Sequence, residues 1–340
     1  MKNFDNNNHF FILTVDTEPD NEWSRLKKSE MTFNNVNSIE KFQSLCDKYS
    51  FKPVYLVEYQ MLQNNKLISL LNDFLSSGKC EVGAHMHPWS NPPLNYKVTE
   101  DDYPYHPFIV EYPSNIFEDK LKVLLRAFKD TLNLKPKVFR AGRWVISAEN
   151  IRILRKYGFK VDCSVTPYRH WEPRRGIKES DYRNFNNEPF YWTDSDGIVE
   201  IPLSCFSFER SSSFFNPYSI PFLKNNNYYR RLLDIFFKTY SFTLKGGVWS
   251  FRYKKYSDLN ETLKYIHKNH STKYLQSILH SSELSLGGCF KRPSELEKYW
   301  DVIEKNFQFL AKNNYQSVTM EEYLEILKET NGISSKRYRS

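Results

Sequence analysis

Phe10 to Asp20 reads FFILTVDTEPD, and the fold follows from how that stretch is read. Phe10 to Val15 is a short apolar run, the pattern of a strand buried in a sheet. It stops at Asp16, with Glu18 and Asp20 close behind. On an extended segment Asp16 and Glu18 point to the same side. Two carboxylates so placed can divide the work, one binding a cation while the other accepts a proton from water. A solvated acidic loop would look the same in isolation.

Working outward, the same short run recurs, each time followed by a helical stretch. Helical patterning over 38–49 precedes Pro53 to Val57 (PVYLV), and 60–76 precedes Cys80 to His85 (CEVGAH). Further strands are expected at 137–140, 160–164, 198–202, 274–280 and 316–319, with helices at 116–131, 147–157, 293–313 and 320–328. Short buried strands alternating with helices predict an α/β protein with a parallel sheet or barrel. Two long, aromatic, irregular segments, about 167–197 and 205–259, interrupt the rhythm, although 228–240 looks helical. They are expected as insertions over one face of a single domain spanning 1–330, with 331–340 a disordered basic tail.

The ionisable residues of interest, Asp16, His85, Arg140, Asp162 and His280, fall at the carboxyl ends of five predicted strands. In parallel barrels that rim is where active sites form.

Composition narrows the function classes. The net charge of +8 is partly local, in Arg174–Arg175, Arg230–Arg231 and the Lys336, Arg337, Arg339 end. No basic stripe is interleaved with aromatics along a helix, so no nucleic-acid partner is expected. Five scattered cysteines without a CxxC pair argue against a disulfide framework or a thiolate zinc site. The start MKNFDNNNHF lacks a secretory pattern, and no apolar stretch is long enough to span a bilayer. A cytoplasmic protein without stable membrane insertion is the expectation.

Three further segments carry candidate chemistry. In Gly83 to Trp89 (GAHMHPW), His85 and His87 share a face of an extended chain, a common way to hold a divalent metal. In Phe139 to Trp144 (FRAGRW), an inward-pointing Arg140 requires a carboxylate partner, for which Asp16 is the natural candidate. Arg143 and Trp144 beside it, with Trp89, are candidate contacts to a sugar ring. In Ile278 to Leu284 (ILHSSEL), His280 is placed to act as a general acid. Asp162 ends the strand after Arg140 and could orient a histidine or pair with Arg140. Each histidine could equally be a hydrogen-bonded core residue if taken alone.

Taken in order, TVDTEPD, EVGAHMHPW, FRAGRW, KVDCSVTP, IVEIPLS and ILHSSEL form a set that resembles the polysaccharide deacetylases of carbohydrate esterase family four, the NodB-homology group. It looks closest to the WalW-like branch associated with bacterial surface-polysaccharide gene clusters. The resemblance runs from Phe10 to about Leu327, with the two insertions outside it. It implies a distorted (β/α) barrel of about seven strands and a hydrolase that removes acetyl groups from N-acetylated sugars of a glycan or its precursor. It further implies Asp16 as catalytic base, Arg140 as the residue holding that base, and His280 as catalytic acid. Asp162 lies in the segment that supports the acid, and a divalent metal, zinc by expectation, is held by Glu18 and His85. Thr17 separates the two acids that the family places side by side. Trp89 stands four residues after His85, where the family has its second metal histidine, so His87 is expected to fill that role. The alternatives are a metal-independent amide hydrolase of the same superfamily and an inactive glycan binder using Trp89, Trp144 and Trp249 as stacking platforms.

Overall fold

The computed structural model describes residues 9–22, 31–94, 106–171, 177–192, 197–208, 245–248, 264, 267, 274–287 and 290–334. Trp249, the expected helix over 228–240, most of the second insertion and residues 335–340 lie outside the described residues.

β1 (His9–Thr17) is the central strand, buried along nearly its whole length. It pairs in parallel with β2 (Pro53–Val57) on one side and β10 (Tyr274–His280) on the other. From β2 the sheet continues in parallel through β3 (Glu81–Met86), β4 (Val138–Ala141), β5 (Val161–Asp162) and β7 (Val199–Glu200). β6 (Phe190–Tyr191) is added antiparallel at the edge, and β11 (Tyr315–Ser317) pairs with the start of β1. Among the described residues the sheet therefore has nine strands where about seven were expected. The two-residue β6 carries no periodic signal that a sequence reading could detect. A separate antiparallel pair, β8 (Cys205–Phe208) with β9 (Lys245–Val248), lies within the second expected insertion.

Alternation along the strands divides two apolar layers. Phe11, Leu13 and Val15 face outward and pack under helices α1 (Val36–Lys48), α2 (Asn65–Ser76), α3 (Ser114–Leu132), α4 (Ala148–Lys156) and α5 (Pro293–Lys312). Phe10 and Ile12 face inward, where they meet Val54, Leu56, Val138, Val161, Val199 and Tyr274. That inner cluster is plugged from the amino end by Met320, Tyr323, Leu324 and Leu327 of α6 (Met320–Glu329). Residues from strands at both ends of the sheet order thus meet in one interior, so the sheet is curled into a distorted barrel. Among the described residues its edges meet without a backbone ladder. The Tyr274 hydroxyl donates to the Pro202 carbonyl at 2.7 Å, and the Gln276 amide N–H donates to the Ser204 hydroxyl at 2.8 Å. Past α6 the chain stays ordered through 334, with the Ser334 N–H donating to the Pro189 carbonyl. Of the expected 331–340 tail, residues 331–334 are among the described residues and the rest lie outside them.

Candidate active site

The inner face changes character along each strand. Below it is apolar; above, at the carboxyl ends, the same period of two brings in Thr14 and Asp16 from β1, His85 from β3, Arg140 from β4, and Gln276 and His280 from β10. The register sets Asp16 opposite His280 and His85 opposite Arg140.

Arg140 is wholly buried, and its guanidinium cannot discharge, so its donors must be met. Nη1 donates to Asp16 Oδ1 at 2.5 Å and to Thr14 Oγ1 at 2.9 Å, and Nε donates to the Cys163 carbonyl at 3.1 Å. With its amide oxygen turned to Arg140, Gln276 accepts from Nη2 at 2.7 Å. Asp16 is thereby fixed by one oxygen. Its other oxygen, Oδ2, lies 3.9 Å from His280 Nε2 and 4.0 Å from His85 Nε2.

Two imidazoles face Glu18 through the same ring atom. His85 Nδ1 meets the Arg140 carbonyl at 3.0 Å and His87 Nδ1 meets Glu58 Oε1 at 2.6 Å. An Nδ1 proton donated to oxygen leaves Nε2 as the ligand atom. His85 Nε2 is 3.0 Å, and His87 Nε2 3.8 Å, from Glu18 Oε1. Ligand atoms about 2.0–2.1 Å from one tetrahedral ion stand roughly 3.4 Å apart, and the two separations bracket that spacing. Glu18, His85 and His87, all buried, therefore fit a divalent cation as a two-histidine, one-carboxylate set. The electrostatics of Glu18 and His87 agree, whereas His85 holds a proton that a cation would have to displace. Burial would raise the Glu18 carboxyl, but His280, the His85 hydrogen bond and His87 bring it down to about 2. Burial pushes His87 down to about 4, which keeps it in the neutral form a metal needs. Burial also disfavours the charged form of His85, but Asp16 and then Glu18 outweigh it and raise His85 to about 9.

The loop after β3 that carries His87 is clamped from several sides. The buried Lys120 ammonium donates to the carbonyls of Asn91 and Pro93 at 2.8 and 2.7 Å. Trp89 lies flat on the His87 ring, with centroids 4.4 Å apart. The other side of His87 is closed by Gly142, where a Cβ would sit 1.8 Å from His87 Cδ2. Only glycine fits there.

His280, 12% exposed, forms the outer wall. Its Nδ1 pairs with Glu283 Oε1 at 3.1 Å, and Tyr299 donates to Glu283 Oε2 at 2.6 Å. Burial lowers His280, but Glu18, Glu283 and Asp16 raise it to about 9. Trp144 stands beside it, with ring centroids 6.4 Å apart, and packs against Trp171 at 4.6 Å. Arg143 and Trp144 both adopt left-handed backbone angles, φ 57° and 59°, rare for non-glycine residues and concentrated at functional sites. Arg143 lies over the Phe108 ring at 5.5 Å.

Of the residues singled out in the sequence, Asp16, Glu18, His85, His87, Arg140 and His280 converge, with Trp89 and Trp144 against their histidines. Asp162 does not join them. It accepts from the Ser164 hydroxyl at 2.7 Å and lies beside the buried Glu200, burial pushing both carboxyls up, and the carboxylate on His280 is Glu283. Glu283 sits within the quoted ILHSSEL motif, three residues past His280. Glu58 and Glu22, beside His87, were also missed. Glu58 directly follows β2, at the same strand-end position that singled out Asp16 and His85.

No family model matches the sequence, and no curated protein resembles it in sequence. Solved structures do resemble it in fold. A Mycobacterium smegmatis protein assigned as a polysaccharide deacetylase superposes with a TM-score of 0.58 at 12% identity, covering 99% of this chain and 96% of the other. The 4-alpha-glucanotransferase from Thermococcus litoralis gives 0.51 at 13% identity, over 94% of this chain but 38% of that one. These two names describe different chemistries, so the likeness speaks to architecture and the residues at the rim must speak to function. The chain shares the distorted (β/α) barrel fold of these carbohydrate-acting proteins.

Proposed function

We propose that this protein is a metal-dependent N-deacetylase acting on amino sugars of a glycan or glycan precursor, in the NodB-homology group and its WalW-like branch. One observation carries this reading: the His85 and His87 Nε2 atoms face Glu18 Oε1 beside the uncommitted oxygen of Asp16 and the Nε2 of His280. A binding module has no use for a carboxylate and a protonated imidazole facing each other across 3.9 Å.

Glu18, His85 and His87 would hold the cation, zinc by the chemistry of the donor set. Bound there, it supplies Lewis-acid polarisation of an acyl oxygen and eases ionisation of water. Asp16 Oδ2 accepts the proton of the attacking water, while Arg140 keeps the carboxylate from turning away. His280, protonated at neutral pH, gives its Nε2 proton to the amide nitrogen as the C–N bond breaks, releasing acetate and a free amine. Glu283, itself held by Tyr299, fixes the His280 ring so that Nε2 faces inward. Trp144 and Arg143 flank the sugar. The same buried metal set weighs against metal-independent hydrolysis.

The test is acetate release from N-acetylhexosamine oligosaccharides with added zinc or cobalt. Wild type is expected to turn over, with His85→Ala and Asp16→Asn reduced by orders of magnitude. Turnover unchanged in both variants would remove the assigned roles.

A further inference from the structure

On the far side of the His87 ring lies a second group of buried carboxylates that the proposed chemistry does not use. Glu58 Oε1 is committed to His87 Nδ1, but Glu58 Oε2 has no hydrogen-bond partner. Glu22, only 4% exposed, has no partner for either oxygen, and its Oε1 lies 3.7 Å from His87 Nδ1. The ligand atoms of Glu22, Glu58 and His87 all lie within 4.8 Å of one another. Burying a carboxylate without donors is costly, and two side by side cost more. The fold handles its other buried acid pair differently: Asp162 and Glu200 hydrogen-bond each other and also receive N–H and O–H donors. Glu22 and Glu58 lack that mutual bond, with a long Ser90 hydroxyl contact to Glu58 Oε1 at 3.5 Å; burial pushes both up to about 8, reinforced by Glu58 beside Glu22 and by Glu18 beside Glu58.

We propose that Glu22 and Glu58 form a second divalent-cation site, held by both oxygens of Glu22 and Oε2 of Glu58, next to the Glu18–His85–His87 centre. An all-oxygen set selects a hard cation such as manganese or magnesium, which retains water in its remaining positions. Glu58 then serves two purposes through its two oxygens: Oε2 toward the cation, and Oε1 accepting the Nδ1 proton of His87. The second site stands apart from the deacetylase chemistry, since its loss leaves the first ligand set intact.

The probe is Mn2+, added to chelator-stripped full-length protein by equilibrium dialysis with elemental analysis. Wild type is expected to bind two equivalents, Glu22→Gln one, His85→Ala one, and the double variant none. Glu22→Gln keeps the shape and removes a buried charge, so folding is preserved. One equivalent in wild type that is lost in His85→Ala and kept in Glu22→Gln overturns the second site while sparing the first. Anomalous scattering from manganese-soaked wild-type crystals gives a reading that needs no variant. A peak between Glu22 and Glu58 supports the proposal, and a peak at Glu18 alone refutes it.

Discussion

Gly142→Ala is the sharpest perturbation of the proposed metal site that substitutes none of its ligand residues. The added methyl would lie 1.8 Å from His87 Cδ2, 2.6 Å from Nε2 and 2.7 Å from Cγ. Carbon–carbon contact is comfortable at about 3.5 Å, so the ring must retreat by roughly 1.7 Å. It has nowhere soft to go, because Trp89 is stacked on it and Glu58 holds Nδ1 at 2.6 Å. Metal–nitrogen bonds tolerate errors of only about 0.2 Å, so His87 Nε2 would leave the ligand set. Overpacking of this kind costs about 1–3 kcal/mol of stability. The loss in zinc affinity should be at least the roughly 10–100-fold seen when a ligand's supporting contacts are removed. Competition with a chelator of known affinity measures the second effect and urea denaturation the first. In a His87→Ala background the clash disappears, so adding Gly142→Ala should change affinity little further. Wild-type zinc affinity in Gly142→Ala would refute the packing argument and the ligand role of His87 together.

Arg140→Met strands the buried Asp16 carboxylate and should cost about 3–5 kcal/mol in urea melts. Adding Asp16→Asn should recover most of that without restoring activity, and a single variant as stable as wild type would contradict the pairing. Glu283 is among the groups that hold His280 up near 9. Glu283→Gln should therefore lower His280 and move the alkaline limb of kcat/KM to lower pH, because the acid form is lost sooner. An unmoved limb would exclude Glu283 as a positioning residue. Burial, Glu58 and Glu18 hold Glu22 near 8, against an ordinary value of 4.5. In metal-free protein the folded state thus keeps a proton that the unfolded chain has lost, so this residue's contribution to stability falls as pH rises from about 4.5 to 8. Glu22→Gln should gain on wild type across that window in thermal melts, whereas a pH-independent difference would count against the shift. Tyr299→Phe removes one hydrogen bond to Glu283, worth about 1 kcal/mol, and should shift the same alkaline limb less than Glu283→Gln does.

The fold was legible where strands are long enough to show a pattern. β1, β2, β3 and β10 each carry five to nine residues of buried chain and emerge from the sequence almost at their true limits. β5, β6 and β7 are two residues each. β5 and β7 nevertheless lie inside the apolar stretches 160–164 and 198–202 where strands are expected, whereas β6 takes its pairing from β7 and two residues carry no periodicity to show it. The rim residues were readable because each follows an apolar run, and Asp16, His85, Arg140 and His280 do meet. Glu58 obeys the same rule, directly after β2, yet nothing next to it in sequence distinguishes it from an acidic loop residue. Asp162 obeyed it too, yet it turned to Glu200, because the inward positions beside it are Val161 and Cys163. His87 was recognisable as a ligand candidate, but the shape that admits it depends on Gly142, which is distant in sequence and close only after folding.

Gln276 gives the barrel seam a meaning beyond closure. Its amide nitrogen reaches the carbonyls of Ile201 and Pro202 at 3.1 Å, while its oxygen meets Arg140. A single side chain thus joins the two free margins of the sheet and completes the solvation of the cation that steadies Asp16. Girth and reactivity are mechanically linked here. Any loosening of the cylinder at this join would be transmitted to Asp16 through two hydrogen bonds, Gln276 to Arg140 and Arg140 to Asp16, so packing changes in the buried 201–204 strip should move the proposed proton acceptor without touching the rim.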